Sequence, residues 1–495
     1  MFLPMSTDLS LDLAALERAR LSRDARFDGK FFIAVKTTGI YCRPICPSRT
    51  SKSRNVRYYA TAAAAAEAGF RPCLRCRPEA APGTPAWLGT SAVVQRALRL
   101  IEEGILDSGS VDDLAGRLGL GARHLRRLFL QHVGASPISF AQTRRLQFAK
   151  RLLDETNLTI TEIGLAAGFG SVRRFNTAFR QAYGRAPREL RKHSDSAADA
   201  DGGVILKLAY RPPYDWNQVR DFLAANAIPG VEHVDEGSYS RTLKTDAGFS
   251  IICVRPIEGE NALELRVQGV VSSSLFQIAS AARRVFDTSA DPALTTFVLR
   301  SDPLLGPYVE QRPGLRIPGE WDPFECTVCA VLASKAGVAS VRTLVGSIVE
   351  RAGGRIKNCA QDLTSLFPTP AALAKADLEG LGLSRTRIAA LQEVSRAVLQ
   401  KKLDFNASTN SILEVLSQLP GVGSSIAEYV ALRALGEPDA FPANDSDLRR
   451  LAGIAERPLS ALELEARAEA WRPWRGYAAM HLWRTTMDQV ARRAQ

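Results

Sequence analysis

The sequence predicts a multidomain α+β protein, on three observations. At 495 residues the chain is too long for one ordinary domain, and its length suggests about three. Apolar residues make up 46% and charged residues 23%, a composition typical of folded, globular chains. The local pattern changes along the chain between short strand-like runs, arginine-rich helices and mixed stretches, which indicates segments of different fold.

The segment boundaries follow from these changes in composition. The first segment reads as a small α/β domain, the second as all helical, the third as α+β and the last as mostly helical. A short stretch of small and acidic residues separates the two halves and reads as a linker. In chain order the segments are 1–82, 85–193, 194–203 (the linker), 204–300 and 301–495.

The composition excludes several classes of protein. Eight cysteines in 495 residues are too few for a disulfide scaffold. No run reaches the roughly 18–20 apolar residues that a bilayer-spanning helix needs. The first residues lack the basic start and apolar core of a secretory signal. We therefore expect a cytoplasmic protein in a reducing compartment, with no membrane partner.

Positive charge is concentrated in the first part of the chain. The net charge is +12, and residues 1–195 hold 31 Lys and Arg against 17 Asp and Glu, a balance of +14. The remaining 300 residues therefore carry −2. Such an excess attracts the phosphate backbone of nucleic acid. A solvated face that aids solubility is the alternative.

Four cysteines in the first segment have the spacing of a zinc site. Cys42 and Cys46 are separated by three residues, and Cys73 and Cys76 follow as a second close pair. Four thiolates suit Zn(II) in a closed tetrahedral site. In so small a domain the metal would contribute much of the folding free energy. Four unrelated structural cysteines are the alternative.

The residues around these cysteines, FFIAVKTTGIYCRPICPSR with NVRYYA and AGFRPCLRCRPE, resemble the N-terminal domain of the Ada methylphosphotriester-DNA methyltransferases over residues 24–80. The resemblance implies that Cys42 is both a zinc ligand and the nucleophile that takes a methyl group from a DNA phosphotriester, once per molecule. Zinc would keep the thiolate deprotonated. Methylation would remove one negative charge from the site and so favour DNA binding. Thr38 and Arg49 match polar family positions near the metal and the DNA.

The second segment repeats a helix-turn-helix pattern. Residues 110–129 and 159–179 each read as a capped helix, a turn with glycine and a second helix with arginine on one face. A second helix of this kind fits the major groove of DNA. One copy would be weak evidence, but two copies joined by a helix over residues 138–153 are strong evidence. Surface arginines on an ordinary helical bundle are the alternative.

This segment resembles the DNA-binding domain of the AraC/XylS transcription factors, including Gly168-Phe169 and Gly184-x-x-Pro187. The resemblance implies promoter DNA and RNA polymerase as partners, and it implies a bacterial, nucleoid-associated protein. The arginines expected to contact bases or backbone are Arg123, Arg126, Arg127, Arg173 and Arg174.

A glycine-containing turn in the last segment, LPGVG at 419–423, precedes a helix predicted over 425–435. Gly421 and Gly423 would offer backbone N–H groups to a phosphate, often through a cation. Asp445 follows 22 residues after Gly423. Together these features resemble the helix-hairpin-helix DNA glycosylases, whose active aspartate follows the hairpin at this spacing. A monovalent cation at the hairpin belongs to this expectation.

Wider matches over residues 204–485 resemble the AlkA-type 3-methyladenine glycosylase II, among them PPYDW at 212–216, RPGLRIPG at 312–319 and WRPWRGYA at 471–478. The resemblance implies a TBP-like α+β domain followed by a helix-hairpin-helix glycosylase domain. Asp445 would stabilise the positive sugar as a cationic alkylated purine leaves. Tyr429 and Trp483 would line the base pocket. Serine at position 425, where lyase-competent relatives have lysine, implies base release without strand cleavage.

Alternatives stay open for these residues. Asp445 precedes a Leu-Arg-Arg run and could serve as a helix N-cap, and Asp447 is the nearest competing match. Tyr429 and Trp483 could be ordinary core aromatics. The remaining close pair of cysteines, Cys326 and Cys329, reads as buried core thiols.

Residues 333–337 depart from the glycosylase pattern. The family usually has Gly-Gln-x-Val-Ser here, whereas this chain has Ala-Ser-Lys-Ala-Gly, which puts Lys335 where an apolar wedge would fill the gap left by a flipped base. The chain as a whole predicts a methylation-responsive transcription activator that also excises alkylated bases. One alternative is a regulator whose glycosylase half only binds damaged DNA. The other alternative is a zinc-stabilised DNA-binding protein without methyl transfer.

Overall fold

A computed structural model describes residues 13–81, 92–102, 104–191, 203–245, 248–269, 274–333, 338–356, 362–453 and 457–494. The chain divides into two compact units. The first comprises Met1–Arg211, Thr245–Ser250 and Ile257–Ala281, and the second comprises Pro212–Lys244, Ile251–Pro256 and Ala282–Gln495. Within the described residues, no helix combines the length and the apolar character needed to cross a membrane.

Eleven strands lie in the described chain. They are β1 (Phe32–Val35), β2 (Ile40–Cys42), β3 (Val56–Tyr59), β4 (Arg71–Pro72), β5 (Val204–Ala209), β6 (Glu232–Val234), β7 (Tyr239–Thr245), β8 (Gly248–Pro256), β9 (Ala262–Gly269), β10 (Gly354–Arg355) and β11 (Ser365–Leu366).

The α-helices of the described chain are α1 (Leu13–Ser22), α2 (Ala62–Glu67), α3 (Ala92–Glu102), α4 (Ile105–Ser108), α5 (Val111–Arg117), α6 (Ala122–His132), α7 (Pro137–Glu155), α8 (Ile160–Ala166), α9 (Val172–Tyr183), α10 (Pro187–Leu190), α11 (Trp216–Asn226), α12 (Leu275–Val285), α13 (Pro292–Leu299), α14 (Gly306–Gln311), α15 (Pro323–Ala333), α16 (Val338–Ala352), α17 (Pro370–Lys375), α18 (Arg385–Leu399), α19 (Thr409–Gln418), α20 (Ser424–Arg433), α21 (Ser446–Leu451), α22 (Ala461–Ala468) and α23 (Arg475–Ala494). Single-turn 3₁₀ helices occupy Ala25–Phe27, Ser53–Asn55, Pro78–Ala80 and Glu469–Trp471.

The first segment is a four-stranded sheet in the order β3-β1-β2-β4. Side chains along a strand alternate between its two faces, so Phe31 and Ile33 enter one core cluster while Phe32 and Ala34 enter another. Helix α2 contributes Ala62 and Ala65 to the second cluster. The small α/β character of this segment is confirmed.

The second segment contains both predicted helix-turn-helix pairs. Helices α5 and α6 form one pair, α8 and α9 form the other, and α7 joins them over residues 137–155, slightly beyond the predicted 138–153. Ser110 and Thr159 each form a capping box with the acidic residue three positions on, at the first helix of each pair. These caps satisfy N–H groups that a helix start leaves unpaired.

Strands in the third segment pair antiparallel. In the first unit β5 pairs with β9, with Leu206 opposite Leu265, and β5 buries Val204, Leu206 and Leu208. In the second unit β6 pairs with β7. Every second residue of β5 therefore lies on the buried face of the pair.

The last segment is mostly helical, as predicted. Helix α19 leads through a turn over residues 419–423 into α20, which begins at Ser424, one residue before the predicted start. Gly421 in this turn has φ +79°, a left-handed conformation that favours glycine. The turn fixes the direction of α20 and therefore the position of the side chains that α20 carries.

Candidate functional site

Strands β2 and β4 bring the two cysteine pairs together. Strand β2 ends at Cys42, and β4 runs parallel to it, so that Cys73 follows beside it with its N–H donating to Tyr41 O at 3.0 Å. The Sγ atoms of Cys42, Cys46, Cys73 and Cys76 all lie within 4.8 Å of one another. Four thiolates at the usual Zn–S length would stand about 3.8 Å apart. The donor set and its compactness therefore fit a zinc ion.

Arg43 holds the loop between the first two cysteines. Its backbone N–H donates to Cys76 Sγ at 3.3 Å, and its guanidinium donates to Asp28 Oδ1 at 2.8 Å and to Cys76 O at 3.1 Å. Cys73 and Cys76 are buried, whereas Cys42 and Cys46 are half-buried. The sulfur of Cys76 also accepts a hydrogen bond, which spreads its charge.

Thr38 and Arg49 are exposed and lie outside the four-cysteine cluster. Thr38 is in the turn between β1 and β2, where its hydroxyl donates to Val35 O at 3.3 Å. Arg49 follows Cys46 by three residues in an extended loop. Both side chains are exposed to solvent and therefore accessible to a ligand.

Helices α6 and α9 each present arginines on the face opposite their buried residues. Leu125 and Phe129 of α6 are fully buried, as are Phe175 and Phe179 of α9. The five arginines expected to contact DNA are all exposed: Arg123, Arg126, Arg127, Arg173 and Arg174. An exposed basic stripe on the second helix of each pair is the arrangement that major-groove binding requires.

Asp445, Tyr429 and Trp483 meet at one cavity of about 360 Å³ within the second unit. The aromatic rings of Tyr429 and Trp483 lie edge to face, with centroids 6.1 Å apart. Burial raises the pKa of the Tyr429 hydroxyl, which keeps it protonated at neutral pH. The cavity is large enough for a purine base and offers it two aromatic surfaces.

Asp445 serves as a helix N-cap and also lines the cavity. Its Oδ1 accepts from Leu448 N–H at 2.9 Å at the start of α21 and from Trp483 Nε1 at 3.3 Å. No hydrogen bond to its Oδ2 is found among the residues that the structure describes. Asp445 is therefore both the N-cap of α21 and a cavity residue, and the capping hydrogen bond fixes the position of its carboxylate. Asp447, by contrast, pairs with Arg450 at 3.0 Å on the surface.

Glu320 and Arg433 also line this cavity, and the sequence patterns do not predict them. Arg433 is 1% exposed, and its Nη2 donates to Glu320 Oε1 at 2.7 Å while its Nη1 donates to the Tyr429 hydroxyl at 2.5 Å. Burial raises the pKa of Glu320, and the nearby Arg433 opposes that rise. The sequence did contain an indication of this pair, because Arg433 lies in an otherwise apolar helix and a buried arginine needs an acidic partner.

Ser425 and Cys329 lie on the cavity wall as well. Ser425 therefore places a hydroxyl group, and not an amine, on the cavity wall. Cys326 is buried as expected. Burial also raises the pKa of the Cys329 thiol, and this residue is partly exposed because it lines the cavity. Residues 334–337, which include Lys335 and depart from the glycosylase pattern, lie outside the described residues.

Gly421 and Gly423 are both exposed in the turn between α19 and α20. Gly423 is the N-cap of α20. The backbone of this turn is therefore accessible at a helix N-terminus, where an anion is favoured.

Comparisons with known proteins match three parts of the chain. The metal binding domain of Ada matches residues 15–79, a helix-turn-helix domain matches residues 114–193, and the AlkA N-terminal domain matches residues 205–322. The 3-methyladenine DNA-glycosylase from Archaeoglobus fulgidus aligns in structure with a TM-score of 0.50, covering 56% of this chain and 96% of that one at 20% identity. That likeness concerns the fold.

Two curated relatives are informative. DNA-3-methyladenine glycosylase 2 of Escherichia coli is 30% identical over 287 residues, which are 57% of this chain and 97% of the relative. The probable bifunctional transcriptional activator/DNA repair enzyme AlkA of Mycobacterium tuberculosis is 40% identical over 485 residues, 97% of both chains. Because that match runs almost from end to end, this chain belongs to the family of bifunctional Ada/AlkA-type regulators and DNA repair proteins.

Proposed function

We propose that this chain is a methylation-responsive transcriptional regulator that also releases alkylated purines from DNA. One observation carries the proposal: a compact four-cysteine site, two arginine-bearing helices and an aspartate-lined aromatic cavity occur in a single chain. Promoter DNA and RNA polymerase would be its partners in regulation. Alkylated duplex DNA would be its substrate in repair.

Cys42 would accept the methyl group. Its sulfur attacks the methyl carbon of a phosphotriester, an S–C bond forms, the C–O bond breaks, and the electron pair stays on the phosphate oxygen. Zinc supplies a low thiol pKa when it is bound by Cys42, Cys46, Cys73 and Cys76. The place of Cys42 in the compact four-cysteine cluster supports this role, as does the N–H that Arg43 donates to buried Cys76. No described residue offers a route for removing the methyl group, so each molecule would react once.

Mass spectrometry of the zinc-loaded protein tests the transfer. After exposure to DNA that carries methylphosphotriesters, the peptide with Cys42 should gain one methylene unit in mass, and the peptide with Cys73 and Cys76 should not. Unmethylated DNA of the same sequence is the control. A mass gain on Cys46 would mean that Cys46 is the nucleophile. No mass gain on any cysteine would mean that the protein is a zinc-stabilised DNA-binding protein without methyl transfer.

Asp445 would support base release. An alkylated purine is cationic and leaves readily, so the carboxylate need only stabilise the positive sugar and orient water. Tyr429 and Trp483 would stack on the flipped base. Ser425 supports a monofunctional reaction, because the cavity wall offers no amine at that position. The exposed turn at Gly421 and Gly423 would hold a DNA phosphate, with a monovalent cation between them.

Base release from methylated duplex DNA tests this half. Asp445→Asn keeps the side-chain volume and an oxygen for the cap of α21 but removes the charge, so release should fall at least about 100-fold. Asp447→Asn is the matched control, because its ion pair with Arg450 lies on the surface, and it should release bases at the wild-type rate. No release by the wild-type protein would favour a module that only binds damaged DNA.

A further inference from the structure

Glu320 is held rigidly at the wall of the cavity. Its backbone N–H donates to Arg433 O at 2.9 Å, and its Oε1 accepts from Arg433 Nη2 at 2.7 Å. Arg433 is fixed in turn by the carbonyls of Pro318 and Gly319 and by the Tyr429 hydroxyl. Because its side chain is already fixed, Glu320 can form a directional hydrogen bond with a ligand and loses little conformational entropy when the ligand binds.

One oxygen of Glu320 remains available. The side chain is 21% exposed, and no hydrogen bond to Oε2 is found in the part of the chain that the structure describes. Since Glu320 lines the cavity and Oε1 is engaged by Arg433, Oε2 is the atom left for a ligand. It is an acceptor, and a carboxylate oxygen is a strong one.

The other cavity carboxylates do not duplicate this position. Glu232 also lines the cavity, but its Oε1 accepts from the Tyr239 hydroxyl and from Arg241, and its Oε2 accepts from Ile228 N–H at 2.9 Å. Both of its oxygens are therefore occupied. Asp445 has a free oxygen, but the proposed function assigns it to the sugar. Glu320 is the carboxylate that can face the base itself.

A free carboxylate oxygen distinguishes bases by their donors. Adenine carries an exocyclic amino group, and guanine carries an amino group and a ring N–H. An alkylated adenine whose amino nitrogen is closed into an etheno ring has no N–H on that edge. A site built to accept a hydrogen bond discriminates strongly against a ligand that cannot donate one, because the buried acceptor is then left unpaired.

We propose that Glu320 is a specificity residue, whose free oxygen accepts a hydrogen bond from the amino or ring N–H of the extruded base. The site would therefore select alkylated purines that keep such a donor. This inference rests on the proposed base-release function and names the part of the base that the site recognises.

Glu320→Gln tests the inference because it inverts the hydrogen bonding. The amide oxygen can still accept from Arg433, so the NH₂ group takes the place of the free oxygen and a donor faces the cavity. Single-turnover release of 7-methylguanine should fall about 10- to 100-fold in Glu320→Gln. Release of 1,N6-ethenoadenine, which the wild-type protein should handle poorly, should change by less than about threefold.

Glu310→Gln is the matched control, since Glu310 forms an exposed ion pair with Arg300 at 2.9 Å. It should retain the wild-type preference. Equal losses for both bases in Glu320→Gln would overturn the inference, because that result means a general structural role. An unchanged preference would overturn it as well.

A binding measurement separates this inference from the proposed reaction. Duplexes that contain 2′-fluoro-7-methyldeoxyguanosine, in which the sugar resists base loss, are compared with the 2′-fluoro etheno analogue by fluorescence anisotropy. Wild-type protein should bind the first more tightly, and Glu320→Gln should lose that preference. If the wild-type protein releases no base but binds the first duplex more tightly, and Glu320→Gln loses that preference, the proposed base release is wrong while recognition by Glu320 is supported. If it shows no preference between the duplexes, the inference fails.

Discussion

His481 is a buried titratable side chain in α23, and it links stability to pH. Burial lowers its pKa from 6.5 to about 4, with a smaller contribution from Arg312, and its Nδ1 has no hydrogen-bond partner among the described residues. A histidine whose pKa is lowered by folding stabilises the native state above pH 6.5. That stability is lost as the pH falls from 6.5 towards 4, because the unfolded chain binds the proton first.

We expect wild-type protein to lose about 3 kcal/mol more unfolding free energy than His481→Gln between pH 8 and pH 4. The variant removes the proton site, so buried acids that titrate in the same range affect both proteins equally. Urea unfolding followed by tryptophan fluorescence measures the difference, since five of the six tryptophans lie after residue 211. Parallel pH profiles for the two proteins would contradict the assignment.

At the scale of single residues, the sequence alone predicted those functional residues whose spacing matches a metal site or a family pattern. The four cysteines and the pair Tyr429 and Asp445 stand at intervals that chemistry or a family pattern explains. Glu320 and Arg433 do not, because their contact joins residues 113 positions apart and depends on how α20 packs against the irregular segment that ends at Glu320. In the sequence, the only indication of such a long-range ion pair is a charged residue within an apolar stretch.

Gly421 determines the geometry of the hairpin between α19 and α20. Its φ of +79° is a left-handed conformation, and a Cβ added there would lie 2.8 Å from Ala390 Cβ of α18. Gly423 differs in both respects, because its φ is −87° and a Cβ there would meet nothing within 4 Å. The two glycines therefore form a matched pair for testing the hairpin.

Gly421→Ala should lower the unfolding free energy by about 2–4 kcal/mol, from backbone strain and overpacking together. Gly423→Ala should cost less than about 1 kcal/mol, since alanine is only a poorer N-cap than glycine. Urea unfolding of both variants at neutral pH measures this. Equal costs would mean that the close approach of α18 to this turn does not constrain it.

At the level of elements, local patterns predicted helices better than strand pairing. Capping residues and apolar spacing placed α6, α7 and α9 within a few residues of their observed ends. The parallel pairing of β2 with β4 was not predicted, because β4 is only two residues long and is set by the turn that follows α2. Yet this pairing brings Cys73 beside Cys42 and so forms the metal site.

Within the first unit, the cysteine segment is tied to the long helix α7 by a buried charge network. Arg77, directly after Cys76, contacts Asp154 at 2.8 Å, and Lys150 contacts the same carboxylate at 2.5 Å. The Asp154 side chain is fully buried. Burial also raises the pKa of Glu79 in this network. A charge network between the two segments makes the stability of one depend on the folding of the other.

Removal of the metal should therefore destabilise the helix-turn-helix pairs as well as the cysteine segment. A chelator should lower the unfolding temperature that circular dichroism reports for the helices of the first unit, because unfolding around Cys76 releases Arg77 from Asp154. Asp154→Asn should lower stability by about 3 kcal/mol on its own and should shrink the further effect of the chelator, since the link is already broken. Arg26→Gln, which breaks only the exposed pair with Asp24, should leave the chelator effect intact. Equal chelator shifts in the wild-type protein and Asp154→Asn would mean that the two segments fold independently. In the proposed function, a change at Cys42 would then reach the helix-turn-helix only through DNA bound by both segments.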